Sequence, residues 1–258
     1  MILYKLTDQD FTTHGCCLWG EGFTHTADGL GELCTKHWLH AYEHPSLAVF
    51  MNPAHGGFCN PILWECDGIV GATDYGLKVG CTVLTSLRQI PLPVVTIEQC
   101  VRFAIVCAVS VYQEPSFISW ATNWLDKTDR SKEAAAAARR RTCKQVAARL
   151  APYSIEVLAE AQARAPSYVS LYPAVAAIWS VQAIAAAEAA EQARAPSYVS
   201  LYAAVAAIWS VQAIAAAEAA EQSAKVVSLT NEMTLDLVTC AEWAMSDSVA
   251  IPIIIKGE

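Results

Sequence analysis

No glycine occurs between residues 81 and 256; eleven of the twelve glycines fall between Gly15 and Gly80, and the twelfth is Gly257. Glycine supplies the positive φ that tight turns need, so turn-rich structure is confined to the first third of the chain. The remainder is rich in Ala, Leu, Glu, Gln and Arg, which lose little side-chain entropy in a helix. At 258 residues the chain is long enough for two modest domains, each with its own core. The pattern predicts an α+β chain: a small N-terminal α+β domain over 1–92, then an all-α, alanine-rich helical bundle over 93–250.

Within that second part the thirty residues 163–192 are repeated at 193–222, and only Pro173 against Ala203 distinguishes the copies. Each copy opens on Pro near a first helical position and continues through some 25 helix-forming residues, roughly 38 Å of helix. Tyr168, Tyr172, Val175 and Trp179 fall on one stripe, with Trp209 the counterpart of Trp179 in the second copy. Such helices are apolar nearly all round and must be covered, by an antiparallel hairpin within a bundle, by a short solenoid or by a membrane. Alanine contributes little to insertion and Gln182 interrupts the uncharged run Tyr168 to Ala187, so a membrane is disfavoured. Pro173 either starts the first helix late or kinks it.

Charge divides unevenly. Residues 1–150 are nearly neutral, whereas 151–258 carry most of the net charge of −8. Nucleic-acid binding by the whole chain is therefore disfavoured. The ten cysteines form no regular framework and "MILYKLTDQD" has no leader character, which together predict reduced thiols and a cytoplasmic protein.

In the first domain, short strands are expected near Ile2 to Leu6, Cys16 to Trp19, Pro61 to Cys66 and Leu77 to Leu84. The segment "LCTKHWLHAYEHPSLAVFMN" reads as helical, with Pro45 a break or a second start. On such a helix His37, His40 and His44 occupy a stripe about 60° wide, with Cys34 nearby. Zinc is the metal such a set would take, with His55, Cys59 or Cys66 as further donors; the alternative is core and solvated side chains with no cofactor. No dinucleotide, P-loop or nucleophile-elbow motif is present. The catalytic candidates are His40 and Glu65, the latter on the outward side of a strand that directs Trp64 and Cys66 the other way.

"YKLT", "LCTKHWLHAYEHPSLAVFMNP", "ILWECDG" and "DYGLKVGCTVLTSL" together resemble an uncharacterised domain family of phage and prophage genomes. The matching positions are Cys34, Leu39, His40, Ala41, Glu43, Pro45, Gly68, Asp74 and Lys78; Trp38 and Tyr42 stand where that family has Gly and a second Cys. The resemblance covers about 85 residues and implies a phage or prophage origin without an established activity. The domain also resembles small ADP-ribosyltransferase-like folds, which implies a catalytic role for His40 as the alternative function.

Beyond Pro93, "VTIEQCVRFAIVCAVSVY" predicts a helix with Glu98 and Arg102 at favourable i, i+4 spacing. "FISWATNWL" predicts a second, and a third begins at an Asp129 or Ser131 cap and ends before Pro152. This third helix carries Arg139, Arg140, Arg141 and Lys144, a basic run suited to an acidic partner or to the chain's own acidic repeats. Its composition is similar to that of alanine-rich immunity-protein-like helical domains. A last helix near Leu235 to Met245 and an apolar "VAIPIII" follow, the latter a candidate edge strand for the first domain. The expected function is that of a phage-type accessory protein that binds a host or phage protein, or itself as a homo-oligomer, in the host-cell cytoplasm. Tyr168, Trp179, Trp209 and the basic run are the expected contact residues. A metal-stabilised or membrane-associated protein is a further alternative.

Overall fold

The computed structural model describes residues 1–150, 217–221, 223–224, 233–252 and 255–257. They divide into two compact units, Met1–Val95 and Thr96–Glu258.

The first unit is an antiparallel sheet. Strand β1 (Ile2–Thr7) pairs with β6 (Ile62–Asp74), and β6 with β7 (Lys78–Ile90). The far edge of β7 is shared by β4 (Thr24–Thr26) and β5 (Leu39–Ala41), which lie end to end along it. A small separate pair, β2 (Thr12–Thr13) with β3 (Cys17–Leu18), brackets the turn His14–Cys16. The residue after β5, Tyr42, exchanges two 2.8 Å backbone hydrogen bonds with Tyr4 of β1. Hydrogen bonding thus runs β1–β6–β7–β5 and back to β1, and the sheet closes on an interior.

Alternation fills that interior with Leu3, Trp19, Ala41, Trp64, Cys66, Val79, Cys81 and Leu84. The long β6–β7 hairpin bends through register shifts at Glu65/Cys66, Ile69/Val70 and Val70/Ala72. Its turn uses Tyr75 and Gly76, both at positive φ, with Leu77 N–H donating to the Asp74 carbonyl at 2.7 Å. Gly71 and Gly80 mark a close approach: a Cβ at Gly71 would lie 2.8 Å from the Trp38 ring, and one at Gly80 2.9 Å from it. These glycines allow the 27–38 segment to lie over the sheet, so they continue the strands well past the ends expected from punctuation.

Helix α1 (Pro45–His55) packs against β1. Pro45 stands at its start and His44 caps it, its Nδ1 accepting from Ser46 N–H at 3.3 Å. Of the helical reading of residues 33–52, the start at Pro45 is observed, whereas the helix expected over 33–44 is corrected. Leu39–Ala41 is a strand because β7 offers it a free edge, and the helix starts only where Pro45 fixes φ.

In the second unit, α2 (Ile97–Val111) begins with a reciprocal capping box between Thr96 and Gln99. It is followed by α3 (Pro115–Leu125) and α4 (Lys132–Leu150). Ser131 caps α4, accepting from Ala134 N–H at 3.2 Å, while Asp129 holds Ser131. Strand β8 (Met233–Leu235) leads into helix α5 (Leu237–Met245), capped by Asp236. Strand β9 (Ile255–Gly257) pairs antiparallel with β8.

This strand pair overturns the all-α expectation for the second part. The terminal apolar run contributes a strand to its own unit, where Ile255 pairs Leu235, and not an edge to the first sheet. The repeats 163–192 and 193–222 lie outside the described residues except for residues 217–221, so a bundle built from them is not part of the observed fold.

The Glu98 and Arg102 charges attract one another, but the hydrogen bonds of Arg102 go to other partners. Arg102, 4 % exposed, donates to the carbonyls of Trp243, Ala244 and Ser248 at the end of α5 and lies 4.2 Å from the Trp243 ring centroid. Glu98 instead accepts from Arg130 at 2.9 Å, whose guanidinium covers Trp124. The fork of Arg102 reaches two carbonyls in the last turn of α5 and a third, that of Ser248, beyond it. Arg102→Lys, with one ammonium for those three positions, is expected to lower stability by about 2 kcal/mol. Urea unfolding followed by tryptophan fluorescence checks this; an unchanged midpoint would refute the clamp.

Candidate functional site

His40 is the centre of the region where most candidate chemistry converges. Strand β5 sets it opposite Gly80 of β7. Its Nε2 lies 2.5 Å from the Leu33 carbonyl; a carbonyl only accepts, so Nε2 carries the proton. Burial holds the His40 imidazole below its ordinary pKa, and the positive charges of Lys78 and Lys5 act in the same direction. The Leu33 hydrogen bond and Asp74 oppose them. Asp74 and Lys78 form an ion pair at 3.6 Å with both side chains largely buried. The neutral imidazole is able to accept a proton at Nδ1.

Behind the strand, the His40 carbonyl accepts from Lys5 Nζ at 2.9 Å. Lys5 is 8 % exposed, points into the apolar interior and lies 4.5 Å from the Trp19 ring centroid. Burial lowers its pKa to about 8, an effect partly offset by the nearby Cys66, Cys17 and Cys81 thiols. The same burial pushes Cys66 up to about 12 and Cys81 up to about 11, which keeps both protonated and unreactive. Lys5 was missed in the sequence. The run "ILYKLT" alternates Leu3, Lys5 and Thr7 against Tyr4 and Leu6, and both sets contain apolar residues, so the pattern does not say which face turns inward.

The second catalytic candidate is elsewhere. Glu65 receives two hydrogen bonds from Arg88, at 3.0 and 2.8 Å, and this pairing raises the Arg88 pKa. Arg88 is eight residues from Gly80 along β7, roughly 26 Å of strand, so His40 and Glu65 are not brought together.

The proposed metal donors are likewise dispersed, because the helix that would have aligned them is absent. Cys34 is exposed, the His37 imidazole pairs with Asp28 at 2.7 Å, and His44 is occupied as the α1 cap. Of the further donors, His55 Nδ1 is hydrogen-bonded with the Tyr42 hydroxyl at 3.0 Å, Cys59 is exposed and Cys66 is interior. Among the described residues no group of three or more His, Cys, Asp or Glu side chains is placed to hold a metal ion.

Arg139, Arg140, Arg141 and Lys144 are exposed on α4. Tyr168, Trp179 and Trp209 lie outside the described residues. A groove of about 450 Å³, lined by residues 61–63 and 89–92, contains none of the sequence candidates. Among the described residues no helix is long and apolar enough to cross a membrane. No family model, curated protein or solved structure matches the chain.

The buried ammonium has a measurable signature. Because the folded pKa of Lys5 lies below its unfolded value, the unfolded chain binds more protons between about pH 8 and 10.5, and stability rises with pH through that window. Lys5→Met removes this dependence while leaving the opposing titration of the thiols in place. Relative to Lys5→Met, the native protein should gain about 1 kcal/mol of stability from pH 7 to pH 9. Parallel denaturation curves at the two pH values test this, and a pH-independent difference would contradict burial of the charge.

Proposed function

We propose that the protein is a phage-type accessory protein that acts in the host-cell cytoplasm by binding an acidic surface on a host or phage protein, through the basic face of α4. The observation that carries this reading is the exposure of Arg140, Arg141 and Lys144, which occupy an arc of about 100° on that helix, beside the exposed Arg139. A protein of net charge −8 repels a polyanion at long range, yet a local cationic row still serves a folded partner that presents a few carboxylates. Binding without turnover also agrees with the separation of His40 from Glu65 and with the partners both already hold. Exposed Phe11, Leu18 and Phe23 offer further apolar contact area on the first unit.

The experiment is affinity capture from host lysate with the full chain and with the triple variant Arg140→Glu, Arg141→Glu, Lys144→Glu. The expected result is a captured protein, or a self-associated species by sedimentation, that weakens at least about tenfold in the variant and with added salt. A wild-type chain that stays monomeric and captures nothing would overturn the reading. So would NAD turnover that His40→Ala abolishes.

A further inference from the structure

Between the β2–β3 pair and β4 lies a group of side chains that neither the His40 region nor the α4 face uses. Cys17 Sγ is 3.7 Å from His25 Nδ1 and 3.9 Å from Nε2, within hydrogen-bond reach for sulfur. His25 Nε2 is also 2.9 Å from the Leu18 carbonyl. That carbonyl has no proton to give, so Nε2 carries one and Nδ1, the nearer nitrogen to the thiol, is the unprotonated one. The ring is fixed further by Trp19, whose centroid is 4.3 Å away. Trp19 is in turn held by Thr13 Oγ1 at 3.1 Å and covered by the Lys5 ammonium. A thiol, a base within reach of it and a third group that fixes the base make up the arrangement of an activated nucleophile.

We propose that Cys17 and His25 form a thiol–imidazole pair that makes Cys17 a site of thiol–disulfide exchange, with small peptide-type disulfides as its substrate class. The Cys17 proton passes to His25 Nδ1. The thiolate attacks one sulfur of the disulfide, a new Cys17 S–S bond forms as the old one breaks, and the departing thiolate takes the proton from the imidazolium. No external oxidant enters, because the disulfide supplies the sulfur and leaves as one equivalent of thiol.

The remaining thiols provide the contrast. Cys66, Cys81, Cys107 and Cys240 are buried, and desolvation pushes the half-buried Cys100 up to about 12. Cys16, Cys34, Cys59 and Cys143 are more exposed than Cys17, but none of them has a hydrogen-bonded base among the described residues. Exposure alone therefore ranks Cys17 behind these four, and assistance by His25 ranks it first. An unassisted thiol at neutral pH is only a few per cent thiolate, and the gain from fuller ionisation is partly offset by lower nucleophilicity, so an advantage of about tenfold is expected.

The test uses the full chain in a Cys16→Ser background, reacted with glutathione disulfide at neutral pH and mapped by peptide mass spectrometry over time. Cys17 should form the mixed disulfide about tenfold faster than Cys34, Cys59 or Cys143. His25→Phe, which keeps a ring against Trp19 but has no base, should remove that advantage while leaving the other three rates unchanged. The proposal fails if Cys17 reacts no faster than the exposed thiols, or if His25→Phe leaves its rate intact. The comparison within the unsubstituted His25 protein decides the matter even where the Phe variant does not fold.

Discussion

The two reciprocal hydrogen bonds between Tyr4 and Tyr42 hold the first unit in its observed form. Strand β5 is only three residues long and would be a marginal addition to the β7 edge by itself. Because Tyr42 reaches β1 at the opposite end of the sheet, those three residues close a ring and shut the interior from water. Other features follow from that closure. The Lys5 ammonium loses solvent and finds the His40 carbonyl, and the Cys66 and Cys81 thiols are stranded in an apolar environment. Tyr42 also anchors α1, since its hydroxyl meets His55 at the far end of that helix.

A shared device for burying cations recurs in both units. Lys5 lies on Trp19 and donates to the His40 carbonyl; Arg102 lies on Trp243 and donates to three carbonyls; Arg130 lies on Trp124 and donates to its carbonyl and to Glu98. An indole face gives a desolvated cation about 1–2 kcal/mol of attraction, and the carbonyls satisfy its N–H groups. Lys5 and Arg102 thereby remain charged among apolar side chains with main-chain oxygens as their hydrogen-bond acceptors. Tryptophan is thus used as a platform for charge as well as for apolar volume.

Reactivity is distributed by the same burial. Thiols in the sheet interior, and Cys107 on α2, are held protonated by burial. Cys17 stands at the boundary, partly covered and beside an imidazole. His40 stands at another boundary, neutral on the outer side of the sheet with an ion pair next to it. Both lie where β7 pairs with a short strand, His40 on β5 and His25 on β4, so the closing edge of the sheet carries the histidine chemistry of this unit.

Composition alone placed the turn-rich sheet in the first third, because only glycine and the turn dipeptides permit that density of reversals, and the Asp129 and Ser131 cap signal located the start of α4. Local pattern failed at residues 33–44, where helical spacing of Cys and His residues meant nothing once β7 supplied a strand partner. It failed again at the chain end, where Ile255–Gly257 pairs β8. The partners of Lys5, Arg102, Glu98 and Cys17 were set by tertiary structure, since each contact joins residues distant in sequence or separated by a turn whose direction the pattern leaves open. The sequence determined which segments turn and which propagate as helix, because those are local backbone energies. Which charges and thiols are buried, and beside what, was decided only when Tyr42 met Tyr4, because desolvation depends on a closed surface that no single segment can make.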